Sequence, residues 1–241
     1  MRTKYYFGAL FLAISALLLN SCEFFNCLEG NGNTISEQRI VASFTGVENS
    51  TSFNVKVIAD TVYSVEVTAD ENLLPFIETY VRSDNLIIAT GNQCINPARP
   101  VRIEVHLPVL EYIELSGSGD IDVFDVEGAD FKIRSSGSGD IDLNSLYLTS
   151  EIEILLYGSG DILINGKANI GNYGLFGSGD ILADDLQVDS CYVTSSGSGD
   201  VYCFVYDLLD VEINGSGDVL YSGNPEIVLD DNGSGDLIER N

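Results

Sequence analysis

Seven aspartates, Asp120, Asp140, Asp161, Asp180, Asp200, Asp218 and Asp236, each close a Gly-Ser-Gly-Asp tetrapeptide, at intervals of 20, 21, 19, 20, 18 and 18 residues. Carboxylates repeated in this way can hold a divalent cation, accept hydrogen bonds from turn N–H groups, or take up a proton. If the tetrapeptides stack, neighbouring carboxylates stand about 4.8 Å apart. They then repel by about 0.9 kcal/mol at the dielectric of water and about 3.5 kcal/mol at an effective dielectric of about 20. Backbone N–H groups and Ser hydroxyls of the turn can offset this, so a hydrogen-bonded structural ladder is the leading expectation. Calcium is the weaker one, because the ion wants more oxygens than one carboxylate per turn supplies.

Other chemistry is thinly provided for. The chain has one His, His106, which weakens any Ser-His nucleophile or multi-His zinc site. Paired carboxylates such as Asp120/Asp122 or Asp184/Asp185 could do acid–base work on a glycan. That keeps a polysaccharide-active enzyme on a β-helix scaffold as an alternative. A repeated Asp is nevertheless what a scaffold shows, whereas an active site appears once and breaks the pattern. Cys191 and Cys203 fall at inward positions and read as buried thiols.

The repeat also dictates the elements that position these groups. One residue after each Asp comes an apolar residue (Ile121, Ile141, Ile162, Ile181, Val201, Val219, Leu237). Another stands four residues before each first Gly (Ile113, Ile133, Ile154, Tyr173, Val193, Val211, Leu229). Period-2 alternation broken regularly by Gly and Asp means short strands and tight turns. The expected fold is all-β: a single-stranded parallel β-helix of about seven rungs, each 18–21 residues long, with residues 37–115 as a β-rich N-terminal part that caps it. A meander with each tetrapeptide as a hairpin turn is the alternative. A lone rung cannot stand, because ordering some twenty residues costs on the order of 20–40 kcal/mol. Its five or six buried side chains return roughly 1.5–3 kcal/mol each. Stacking must supply the rest. Glycine is expected at the corners to let the chain turn with positive φ and to avoid a Cβ clash with the next rung.

The outward positions differ along the stack. Two residues after Asp stand Asp122 and Asp142 in the first two repeats, then Leu163, Leu182, Tyr202, Leu220 and Ile238. Tyr157 and Phe176, just before their Gly, are expected beside this row. An apolar stripe on so acidic a surface reads as a contact strip for a second copy, a glycan or a protein, unless another segment of the chain covers it.

At the N-terminus Arg2 and Lys4 precede an uncharged apolar run, Tyr5 to Leu19, which suits a secretory signal better than a membrane span. It ends in Leu19-Asn20-Ser21-Cys22, which resembles a bacterial lipobox. Residues 1–21 are therefore expected to be removed and Cys22 to carry the lipid. Residues 22–36 read as a flexible Gly/Asn-rich tether, and an exported location permits a Cys27–Cys94 disulfide.

Residues Asp70 to Thr79, Asn85-Leu86-Ile87-Ile88, and Leu107-Pro108-Val109-Leu110-Glu111-Tyr112-Ile113 leading into Gly-Ser-Gly-Asp resemble the "putative auto-transporter adhesin, head GIN domain" family over roughly residues 37–236. The resemblance implies a β-helical fold, export and often lipidation, and an adhesin-like label, with no catalytic residues.

The net charge of −26 makes nucleic acid an unsuitable partner. The expectation is a non-enzymatic, lipid-anchored envelope β-solenoid, placed as an outer-membrane lipoprotein, with no cofactor unless calcium.

Overall fold

The computed structural model describes residues 27–91 and 93–240. Cys22 and the signal segment lie outside them. The chain winds as a parallel β-solenoid of about six turns. The seven Gly-Ser-Gly-Asp corners bound six complete repeats, each placing its strands on the equivalents one repeat earlier. Ile121 lies opposite Ile141, Ile141 opposite Ile162, Ile162 opposite Ile181, and Ile181 opposite Val201. On the face before each corner, Ile113 lies opposite Ile133, Ile133 opposite Ile154, and Ile154 opposite Tyr173. No hairpins join successive repeats.

Alternation builds the core. Ile121, Ile141, Ile162, Ile181, Val201 and Val219 are all fully buried, as are Ile113, Ile133, Ile154 and Val211 across the interior. Tyr173 is the one large ring in its column. Room for it comes from Gly171 two residues earlier, where a Cβ would lie 2.7 Å from the Tyr173 hydroxyl. Cys191 and Cys203 are free and buried, and burial pushes the Tyr173 phenol and the Cys191 thiol well above their ordinary values.

Of the two expected reasons for glycine at the corners, only the close approach of the neighbouring coil holds. No corner glycine has a positive φ. A Cβ on either glycine of a corner would instead overlap the backbone carbonyl oxygen of the coil beneath, as for Gly179 against Gly160. Close approach between coils, rather than backbone handedness, excludes every side chain there.

The N-terminal part is woven into the same stack out of chain order. Gly46–Asn49 lies beneath Tyr112–Leu115, and Asn54–Ala59 beneath Ile121–Gly128. A further parallel layer follows, with Asn85–Ala89 beneath the first and Arg102–Leu107 beneath the second. Antiparallel strands then close the end: Ser64–Asp70 on Arg102–Leu107, Thr34–Arg39 on Ser64–Asp70, and Glu78–Arg82 on Asn85–Ala89. A 3-10 turn at Leu74–Phe76 sits with Leu73, Leu74 and Ile77 buried against this end.

Residues 27–36 are not a free tether. Cys27 is joined to Cys94, Leu28–Glu29 pairs in parallel with Ile95–Asn96, and Thr34 begins the outermost antiparallel strand. The fully buried Asp70 carboxylate accepts the N–H groups of Gly32 (2.9 Å) and Ala98 (2.7 Å), tying both segments down. The Gly and Asn content that reads as flexible supplies close approach here: a Cβ on Gly30 would overlap the Asp70 carboxylate.

Candidate binding surface

The seven aspartates form one column, and each of the first six accepts a hydrogen bond from the coil above. The backbone N–H of Asp140 donates to Asp120 Oδ1 at 3.1 Å. Those of Asp161, Asp180, Asp200, Asp218 and Asp236 donate to the preceding Asp at 2.8 Å. At the base Asp120 N–H donates to Asn54 Oδ1 at 3.2 Å. The column is thus a continuous line of amide-to-carboxylate bonds in which the lowest acceptor is a neutral amide. Among the described residues no group of three or more His, Cys, Asp or Glu is placed to hold a metal ion.

The outward row after the corner is equally regular. Leu163 stacks on Leu182, Leu182 on Tyr202, Tyr202 on Leu220 and Leu220 on Ile238. Leu163 and Ile238 are exposed and the three between them half-buried. Part of this stripe is covered by the chain itself. The Arg240 guanidinium lies 5.1 Å from the Tyr202 ring and reaches Asp184 at 3.3 Å. Below the stripe Asp122 and Asp142 continue the row. Burial first, then the charges of Asp142 and Asp120, holds the Asp122 carboxyl above its ordinary value against the pull of Lys56.

Tyr157 and Phe176 do not extend this stripe. They lie on the other side of the corner, stacked on each other with centroids 5.0 Å apart and planes 15° from parallel. Tyr157 also receives the Arg134 guanidinium at 4.7 Å. Phe176 borders a depression of about 210 Å³ on the preceding face, with Leu155, Tyr192 and Thr194 around it and Gly174 among its walls. A Cβ on Gly174 would stand 2.8 Å from the Phe176 ring and 3.0 Å from Leu155, so the missing side chain is what makes the hollow. Tyr157, Phe176 and Tyr192 are each 42% exposed. Glu153, held by Lys132 at 2.6 Å, borders both this hollow and a larger one of about 440 Å³ that includes Glu111, Asp130 and Glu151.

The model of the family described as "Putative auto-transporter adhesin, head GIN domain" matches residues 43–225. The chain belongs to this family. Among solved structures, that of a putative adhesin from Bacteroides fragilis is 23% identical, covers 88% of this chain and 100% of its own, and superposes with a TM-score of 0.84. A putative lipid binding protein from Parabacteroides distasonis is 22% identical, covering 89% and 99%, with a TM-score of 0.72. A putative adhesin from the same species is 25% identical, covering 89% and 100%, with a TM-score of 0.68. No curated protein sequence matches the chain.

Within the head GIN domain two features escaped the sequence. Thr51-Ser52-Phe53-Asn54 is a further corner beneath the first tetrapeptide, as the Ser118 N–H bond to the Thr51 carbonyl at 3.0 Å shows. Its only signal is Asn54 standing where Asp is expected, disguised by the 66 residues before Asp120. Tyr192 was legible in principle, since the alternation that turns Cys191 inward turns Tyr192 outward. Its partner Gly174 gave no such signal.

Proposed function

We propose that the protein is a non-enzymatic, lipid-anchored envelope solenoid that presents its outward faces for adhesion or assembly, anchored through Cys22 and located as an outer-membrane lipoprotein. The observation that carries this reading is the arrangement of exposed apolar and aromatic side chains in register on a chain of net charge −26. Leu163 through Ile238 follow one row, and Tyr157, Phe176 and Tyr192 cluster across the corner from it. Contiguous apolar area on an acidic surface costs solubility and is retained where something binds. The carboxylates that recur most regularly are committed to backbone N–H groups, which supports a scaffold role for them rather than acid–base chemistry.

Two measurements test the two halves of the proposal. Labelling of cells with an alkyne fatty acid should mark the full-length protein and not its Cys22→Ala variant; equal labelling of both contradicts the anchor. A glycan array with the chain from residue 23 onward, followed by mass spectrometry of the bound sugars, should give retention without cleavage. Shortened products contradict the non-enzymatic reading.

A further inference from the structure

We infer that the two hollows before the corner, which share Glu153 in their walls and run from Glu111 to Tyr192, form a groove for a neutral oligosaccharide. This rests on the reading of the protein as a binding scaffold and names its ligand class.

The aromatic end supplies flat apolar surface. Phe176 and Tyr192 flank the hollow opened by Gly174, and each keeps two-fifths of its surface free. Aromatic walls with a few polar groups are how sugar-sized ligands are gripped. The polar groups are at hand in Glu153, Asn172 and Thr194. Asn172 spends its amide N–H on Glu151 at 3.4 Å, which leaves the carbonyl oxygen as an acceptor for a hydroxyl. Glu153 is fixed by Lys132 and lines both hollows, so an oligosaccharide long enough to occupy both would meet it in each.

Charge selects the class. Glu111, Asp130, Glu151 and Glu153 border the groove against Lys132, on a chain of net charge −26. Uronates, sulfated glycans and phosphorylated surfaces are repelled. An extended peptide is disfavoured for a separate reason. The groove lies on the face of a sheet whose N–H and C=O groups already bond the coils above and below, so strand addition has no free edge to use.

The test is retention of the chain from residue 23 onward, which contains every described strand, on immobilised β-1,3-glucan, α-mannan and N-acetylglucosamine oligomers, with polygalacturonate and heparin as charged counterparts. Binding to at least one neutral series is expected, rising with oligomer length. Phe176→Ala and Tyr192→Ala should each weaken it at least tenfold while the melting transition stays cooperative. Tyr147→Ala, at an exposed ring outside both the groove and the stripe, should leave it unchanged. Gly174→Ala should weaken it by partly filling the hollow, without removing an aromatic ring. Stronger retention on polygalacturonate or heparin overturns the inference. So does neutral-glycan binding that survives loss of Phe176 and Tyr192 but falls with Leu182→Ala; that result moves the site to the stripe and leaves the scaffold reading standing. Retention on none of the five overturns the groove, and cleavage of a bound oligomer overturns the scaffold reading itself.

Discussion

The corner at Thr51–Asn54 and the seven corners above it do the same geometric job with different residues. In the repeat, every corner rests on another, and the direction in which a Cβ would point is occupied by a carbonyl oxygen. Beneath Thr51–Asn54 the chain runs between Ala89 and Arg102 by way of the strand Ile95–Asn96, and among the described residues no tight corner lies under it. Thr51 and Phe53 therefore keep their side chains, both buried. They close the corner themselves. Asn49 Oδ1 accepts from Thr51 N–H and hydroxyl, Phe53 N–H donates to the Thr51 hydroxyl, and Asn49 Nδ2 donates to the Phe53 carbonyl. Glycine in this fold is a response to a coil beneath. Where there is none, side-chain hydrogen bonds take over the turn.

A branched side chain at a stacked corner should be the most damaging change. Gly179→Val drives a side chain into the Gly160 carbonyl, with backbone on both sides and nowhere to relax. It should leave no cooperative melting transition by circular dichroism. Thr51→Val, which forfeits a hydroxyl bonded at both lone pair and proton, should cost about 1–3 kcal/mol and still fold. Comparable losses at both sites would remove the distinction.

Next comes the disulfide, which belongs to the cap alone. Cys27–Cys94 closes a loop with a sequence separation of 67, so chain entropy puts its contribution at up to about 4 kcal/mol. The Cys27→Ser/Cys94→Ser variant should lose hydrogen-exchange protection at 28–39 and 93–98 before any change in the repeat. Loss of protection spread evenly over both regions would mean that the cap and the coils unfold as one unit.

The aspartate column gives a smaller effect. Asp180→Ala leaves the Asp200 N–H without its acceptor and should cost about 1–3 kcal/mol in denaturant unfolding. Asp180→Asn keeps an Oδ1 in place, as Asn54 does naturally at the base, and should cost only a few tenths of that. If Asn were as damaging as Ala, the carboxylate charge rather than the acceptor would matter.

The smallest effect is electrostatic. Because the Asp122 carboxyl is held above its ordinary value, the folded chain binds that proton more tightly than the unfolded one. Its contribution is therefore fully favourable below the ordinary carboxylate range and is lost as pH rises through the raised value. Asp122→Asn should raise Tm slightly at pH 7 and leave it unchanged at low pH. A lower Tm at pH 7 would contradict that sign.

The repeat region was legible because one physical constraint acts seven times. Spacing alone places Ile121 over Ile141, brings the aspartates into a column and turns Leu163 and Leu182 outward. Residues 37–115 were legible only as strands. Their layering is set by long-range pairings, such as Arg102–Leu107 against both Asn54–Ala59 and Ser64–Asp70, which no local period encodes. The Gly-rich run 28–34 shows the same limit. Composition reads it as loose, and only the buried Asp70 carboxylate reveals what it is packed against. The groove was half legible, since its rings follow from alternation but its hollow depends on the absence of a side chain at Gly174.

All of this depends on successive corners lying directly above one another. The exposed serines of the tetrapeptides report that stacking directly, since neighbours one coil apart should have Cα atoms about 4.8 Å apart, within the span a disulfide bridges. Under mild oxidation Ser159→Cys/Ser178→Cys should crosslink quantitatively within a monomer, while Ser138→Cys/Ser178→Cys, two coils apart, should not. Crosslinking of the distant pair, or failure of the near one in a folded protein, would contradict the stack.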